Sequence, residues 1–111
     1  ENSIRVLPGS ISCFDKLMRL DMHSNRLMSI PPDLGLCSQL TDLNFSDNDL
    51  AGLPTEIGLL FSLKFFDVSK NQILRLPNEI GNLSTLEHFD VRNNKIEYLP
   101  VELEALSAKL Q

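Results

Sequence analysis

Apolar and polar residues follow two rhythms along this chain, and the two take turns. After Leu40, the apolar Leu43 and Phe45 flank the polar Asn44, a period of two that predicts a short strand with one buried face. Leu50, Leu53, Ile57 and Leu60 then recur at gaps of three or four, which predicts a turn or short helix returning on the far side. The same succession comes round every 23 residues. Asparagines stand at Asn2, Asn25, Asn48, Asn71 and Asn94, and prolines at Pro8, Pro31, Pro54, Pro77 and Pro100. Leucines open the units at Leu17, Leu40, Leu63 and Leu86. Three residue types locked to one period mark an internal repeat.

The period divides the chain into a partial unit 1–16, units 17–39, 40–62, 63–85 and 86–108, and the start of another at 109–111. One unit cannot bury both apolar sets alone. Neighbours stacked at roughly 4.8 Å per strand make a continuous core, held mainly by nearest-neighbour interfaces. The predicted strand columns are Leu17/Leu40/Leu63/Leu86, Leu20/Leu43/Phe66/Phe89 and Met22/Phe45/Val68/Val91. The return-side columns are Ile4/Leu27/Leu50/Ile73/Ile96, Leu7/Ile30/Leu53/Leu76/Leu99, Ile11/Leu34/Ile57/Ile80/Leu103 and Phe14/Cys37/Leu60/Leu83/Leu106.

The polar columns have their own chemistry. Where the chain turns inward, backbone groups lose their sheet partners, and a buried Asn amide brings two donors and an acceptor to satisfy them. Asn25, Asn48, Asn71 and Asn94 are therefore expected to be structural. Proline suits positions where φ near −65° is useful and no donor is needed. Gly35, Gly58 and Gly81 are expected to relieve a tight turn. Asp33, Glu56, Glu79 and Glu102 stand two residues after each Pro. They are expected at the first turn of short helices, where the dipole favours a carboxylate; the rival reading is a convex acidic ridge facing a basic partner.

Written from Leu63, a unit reads L-K-F-F-D-V-S-K-N-Q-I-L-R-L-P-N-E-I-G-N-L-S-T. This resembles the leucine-rich-repeat family, whose signature is L-x-x-L-x-L-x-x-N-x-L. The trailing L-P-x-x-I-G-x-L is similar to the 23-residue subclass of intracellular Ras-suppressor-type and scribble-type proteins. The resemblance covers essentially the whole chain. It implies an α/β repeat fold: a right-handed solenoid or horseshoe segment, with a short-stranded parallel concave sheet and short helical or irregular convex segments. It also implies a protein-binding module in a scaffold or signalling adaptor, with a small GTPase, phosphatase or scaffold protein as partner. Because the chain begins inside a unit and shows no polar terminal cap, an excised piece of a longer repeat domain is expected.

Composition narrows the function classes. The chain has 111 residues, 15 Asp and Glu against 10 Lys and Arg, and a formal net charge of −5, which disfavours a nucleic-acid backbone as ligand. No window approaches the roughly 18 to 20 apolar residues of a spanning helix, so no membrane insertion is expected. Cys13 and Cys37 are the only cysteines, scattered and without a Cys-rich cap, which favours a reducing, cytoplasmic setting. Against this stand Asn44-Phe45-Ser46 and Asn82-Leu83-Ser84, which match the glycosylation acceptor pattern. Two alternatives to the adaptor reading follow: a regulatory or targeting segment of a larger enzyme, and an extracellular receptor ectodomain.

Catalytic chemistry finds little support. Asp67, Ser69 and His88 share a strand face, but an open sheet offers no oriented base and no oxyanion site. His23 and His88 lie three units apart, roughly 14 Å by strand spacing, and no metal-ligand motif or phosphate-binding glycine loop is present. No catalytic residue, cofactor or metal is assigned, and the chain is not expected to be an enzyme.

The concave face is the expected partner surface. Its rows are Arg19/Asp42/Phe65/His88, Asp21/Asn44/Asp67/Asp90 and His23/Ser46/Ser69/Arg92, followed by Ser24/Asp47/Lys70/Asn93 and bordered by Arg26/Asp49/Gln72/Lys95. Phe65 is apolar in a polar row; it is expected either to anchor an interface or to pack down onto the adjacent Arg19-side loop or a neighbouring unit. Asp42, Asp47 and Asp49 make one unit acidic, while His88, Arg92 and Lys95 make another basic, a gradient able to orient a partner. Replacing Phe65 and Asp67 together is the natural test of this face.

Overall fold

The computed structural model describes residues 18–97. The terminal expectations lie outside them: the partial unit 1–16 with Cys13, the strand-column Leu17, and the positions from Leu99 onward, Glu102 included. Within the described part, three-residue strands alternate with five-residue 3₁₀ helices: β1 (Arg19–Asp21), η1 (Pro32–Leu36), β2 (Asp42–Asn44), η2 (Thr55–Leu59), β3 (Phe65–Asp67), η3 (Asn78–Asn82) and β4 (His88–Asp90). The strands form one parallel sheet in chain order. The register follows the repeat: Arg19 pairs with Asp42, Asp42 with Phe65, and Phe65 with His88.

Each element has a local cause. The central strand residues Leu43 and Phe66 are fully buried, and Phe66 stacks on Phe89 with ring centroids 5.4 Å apart. The flanking strand residues face the other way, as period two requires. The return segments wind as 3₁₀ rather than α turns: Leu34 N–H donates to Pro31 O at 3.1 Å and Cys37 N–H to Leu34 O at 3.0 Å, both three residues back. Pro31, Pro54 and Pro77 precede the helices with φ of −67°, −71° and −68°, values the pyrrolidine ring already imposes. Asp33, Glu56 and Glu79 occupy the first turns.

The core lies between sheet and helices. Leu27, Cys37, Leu40, Leu50, Leu60, Leu63, Ile73, Ile80 and Leu83 are all fully buried, each large aliphatic side chain contributing about 1.5–3 kcal/mol. Met22, Leu53, Val91 and Ile96 are only partly covered.

The asparagine column bridges the units. Asn71 Nδ2 donates to Val68 O (3.0 Å) and Ser69 O (3.1 Å) in its own turn and to Phe45 O (3.0 Å) one unit back. Its Oδ1 accepts Leu50 N–H at 3.0 Å. Asn48 and Asn94 repeat the scheme, their Oδ1 atoms accepting Leu27 and Ile73 N–H. Asn25 Nδ2 donates to Met22 O and His23 O, and its buried Oδ1 has no partner among the described residues.

Two expectations change. The glycines do not serve the turn, since no described glycine has positive φ. A Cβ on Gly35 would meet Glu56 O at 2.6 Å and one on Gly58 would meet Glu79 O at 2.7 Å, so glycine there permits helix to stack on helix. The tight turn falls instead on Ser24, Asp47, Lys70 and Asn93, with φ of 58°, 58°, 58° and 61°. These residues occupy the left-handed region immediately before each asparagine.

Candidate functional site

The concave face begins where the strands end, and its polar rows are largely tied to the backbone. Asp21, Asn44, Asp67 and Asp90 each turn Oδ1 back onto the N–H two residues later, at 3.2, 2.9, 2.9 and 3.0 Å. This Asx turn closes each strand, so a row expected to meet a partner is also a ladder of local caps. Ser69 is also displaced from its expected role. It is 8% exposed, and its Oγ donates to Asp67 Oδ1 at 2.7 Å, which leaves little for a partner to touch. Ser46 is half-buried, and Asp67 likewise.

Charges on the face are paired in part. His23 Nδ1, in the tautomer that carries a proton there, donates to Asp21 Oδ1; this hydrogen bond holds the Asp21 carboxyl below its ordinary pKa. Arg92 grips Asp90 with two hydrogen bonds, Nε to Oδ1 at 3.0 Å and Nη2 to Oδ2 at 2.8 Å. The pair lowers the Asp90 pKa and raises that of Arg92. The charge gradient is therefore shallower than the sequence suggests, because Arg92 is neutralised in place. At the acidic end, Asp47 Oδ2 accepts Ser24 Oγ–H at 3.0 Å.

The row Arg19–Asp42–Phe65–His88 carries the free chemistry. Phe65 is half-buried; its ring lies flat on His88, with centroids 4.6 Å apart and planes 7° apart. One of its two expected roles, packing onto a neighbouring unit, is thus in place on the β4 side. On the β2 side a hollow of about 190 Å³ opens, lined by Arg19, Leu20, Asp21, Asp42, Leu43, Asn44 and Phe65. Asp42 accepts Thr41 Oγ1–H, and no ion pair joins it to Arg19 among the described residues. A broader hollow of about 590 Å³ lies on the flank, between Ala51–Gly52–Leu53 and Leu74–Arg75–Leu76, and is more open to solvent.

The imagined triad does not assemble. Ser69 bonds Asp67 directly, and His88 is committed to the Phe65 ring. Among the described residues no group of three or more His, Cys, Asp or Glu is placed to hold a metal ion, and no helix is long and apolar enough to cross a membrane. Cys37 is buried, and that burial raises its thiol pKa. Among the exposed apolar residues that sequence reasoning passed over, beside Met18, Met28 and Leu74, are Leu36, Leu59 and Phe61. They stand exposed on the opposite face. Leu36 and Leu59 sit beside buried Cys37 and Leu60, and an unbroken apolar run hides which member faces out.

The family model described as Leucine Rich Repeat matches residues 16–37 and 62–83. No curated protein matches the chain. Among solved structures, a leucine-rich-repeat protein of Leptospira interrogans is 31% identical, with TM-score 0.94 over 99% of this chain and 28% of that one. The plant peptide hormone receptor RGFR1, in complex with RGF2, is 32% identical, with TM-score 0.86 over 100% of this chain and 19% of that one. The ectodomain of the receptor kinase SOBIR1 from Arabidopsis thaliana shares the fold at 22% identity, with TM-score 0.75 over 90% of this chain and 70% of that one. The chain thus spans less than a third of the first two proteins. Proteins of this fold are typically non-enzymatic modules for protein–protein interaction. The 23-residue unit, its parallel sheet and these likenesses make the chain a leucine-rich-repeat protein.

Proposed function

We propose that the chain binds a partner protein through the concave face of its sheet, in a cytoplasmic scaffold or signalling adaptor. The observation that carries this reading is the half-exposed Phe65 ring beside the hollow bounded by Arg19 and Asp42. An aromatic side chain held flat by His88 loses little further freedom on binding, and the hollow next to it can take a partner side chain. The surrounding grid is prearranged by its Asx turns, so recognition needs little change of shape. The units 17–39, 40–62, 63–85 and 86–108 each supply one rung.

Resemblance to the Ras-suppressor and scribble types favours a small GTPase, phosphatase or scaffold protein as partner. The likeness to a plant peptide hormone receptor favours a second reading, an ectodomain segment that holds an extended peptide. Both readings use the same face, and glycan mass on Asn82 in the native protein would favour the second.

The structure changes the best test. Asp67 holds the end of β3 through two hydrogen bonds, so its loss would mix folding with binding. Asp42 is the better companion for Phe65. Peptides selected by display on the chain are titrated calorimetrically against wild type and Phe65→Ala/Asp42→Ala. A loss of affinity of roughly tenfold or more is expected, as for a central aromatic anchor. Unchanged affinity with an unchanged melting temperature rejects the concave face.

A further inference from the structure

A 3₁₀ helix has three residues per turn, so side chains three apart lie in line. In η1 this aligns Asp33 with Leu36, and in η2 Glu56 with Leu59. The close stacking that Gly35 and Gly58 permit sets these lines side by side. Two neighbouring ridges result on the convex face, one acidic (Asp33, Glu56, Glu79) and one apolar (Leu36, Leu59). Phe61, two residues after Leu59, is exposed as well, its N–H donating to Leu59 O at 2.9 Å. The equivalent positions in adjacent units are Ser38 and Ser84, so this phenylalanine stands out from its column.

The fold does not need these side chains. Leu36, Leu59 and Phe61 are 61%, 47% and 60% exposed, while Cys37 and Leu60 beside them complete the core. Nor do Asp33, Glu56 and Glu79 make an ion pair among the described residues, though Glu56 accepts Thr55 Oγ1–H at 3.3 Å. The two ion pairs among the described residues, His23–Asp21 and Arg92–Asp90, both lie on the concave side.

We propose that this convex face docks a basic amphipathic helix of a partner protein. Its apolar stripe covers Leu36, Leu59 and Phe61, and its Lys or Arg residues meet Asp33, Glu56 and Glu79. Charge selects this occupant. A second copy of the chain would set acid ridge against acid ridge, and an anionic lipid surface would be repelled. A helix with cations flanking an apolar stripe satisfies both ridges at once. The face is separate from the concave one, and either could hold a partner without the other.

The probe is a synthetic helix with a leucine stripe flanked by lysines; its control carries glutamate at every lysine. Both are titrated calorimetrically against the full chain at low and high salt. The lysine helix is expected to bind and the glutamate helix not. Leu36→Ser/Phe61→Ser should weaken binding roughly tenfold or more. Glu56→Gln/Glu79→Gln should weaken it by roughly three- to tenfold and flatten its salt dependence. Leu36 and Phe61 are exposed and Glu56 and Glu79 half-buried, and glutamine keeps the shape of glutamate, so melting temperatures should stay level. Phe65→Ala/Asp42→Ala should leave the affinity unchanged, which keeps this outcome apart from that of the concave reading. No binding, equal binding of both helices, or binding lost only in the concave variant would overturn the proposal. So would a wild-type dimer in sedimentation that Leu36→Ser/Phe61→Ser dissociates, because the occupant would then be a second copy.

Discussion

The two faces of this solenoid use polar side chains in opposite ways. On the concave side, Asp21, Asn44, Asp67 and Asp90 spend an oxygen on the backbone two residues on, and Asp21 and Asp90 hold a neighbouring His or Arg as well. On the convex side, Asp33, Glu56 and Glu79 make no ion pair among the described residues, and leucines stand open beside them. The contrast arises from the backbone. A three-residue strand that must turn inward leaves N–H groups to be capped, so polarity there becomes structure. A five-residue 3₁₀ helix closes its own i→i+3 bonds and needs no carboxylate for its backbone; in η2 Glu56 accepts only the neighbouring Thr55 Oγ1–H, at 3.3 Å. Chemistry that looks rich on the concave face is largely committed, whereas the plainer convex face has carboxylates without an ion pair among the described residues.

The largest effect should come from breaking the ladder behind the concave face. Asn71→Ala removes four hydrogen bonds and strands Leu50 N–H in the core, while Phe45 O keeps its bond from Asn48 Nδ2. A loss of about 3 kcal/mol is expected, read by urea unfolding followed by circular dichroism. A loss below about 1 kcal/mol would mean that the neighbouring units relax to share the orphaned groups, and the view that polarity there is structure would fail.

The second test moves to the convex side, where backbone fit rather than hydrogen bonding is at stake. Gly58→Ala would place a Cβ 2.7 Å from Glu79 O and 2.8 Å from Glu79 Cβ. Helix η3 must shift, at a cost of about 1–3 kcal/mol. Gly52→Ala is the matched control: no atom lies within 4 Å of its Cβ position and its φ is not positive. It should be neutral or stabilising by about 0.4–1 kcal/mol. Equal effects at the two sites in thermal melts would show that stacking distance is not what glycine supplies.

How much of this was legible in the sequence differs by kind of residue. The buried columns were, as far as the described residues carry them, because a period of 23 repeats each apolar position and stacking leaves one way to bury them. The asparagine column was legible too, since an Asn at every inward turn has a clear chemical use. The role of Gly58 was misjudged because glycine answers two demands, positive φ and close approach, and position alone does not tell them apart. The left-handed turn was missed for the complementary reason: Lys70 and Ser24 occupy it without a glycine to announce it. Asp67 looked like a free concave side chain because an outward Asp in a strand and an Asx cap have the same spacing. Leu36 and Phe61 were hidden in apolar runs whose buried members set the pattern.

The smallest effect probes the one strong ion pair on the concave face. Asp90 is held below its ordinary carboxyl pKa, chiefly by the Arg92 side chain and also by the Arg92 backbone N–H, with burial opposing both. A carboxyl whose folded pKa is depressed adds stability that is present above its unfolded value, about 3.9, and is lost as pH falls through the folded one. Arg92→Ala removes the side-chain donors but keeps the backbone one. The Asp90 midpoint, followed by carboxyl-carbon NMR, should therefore rise part of the way back. The stability difference between Arg92→Ala and wild type should be widest near neutral pH and close as acid protonates Asp90. The Arg92 side chain is 82% exposed, so this difference should also shrink in high salt. A midpoint that does not move on losing Arg92 would assign the depression to the Asx turn alone. Arg92 would then be free to meet a partner, and the concave face would regain the basic end that the ion pair takes from it.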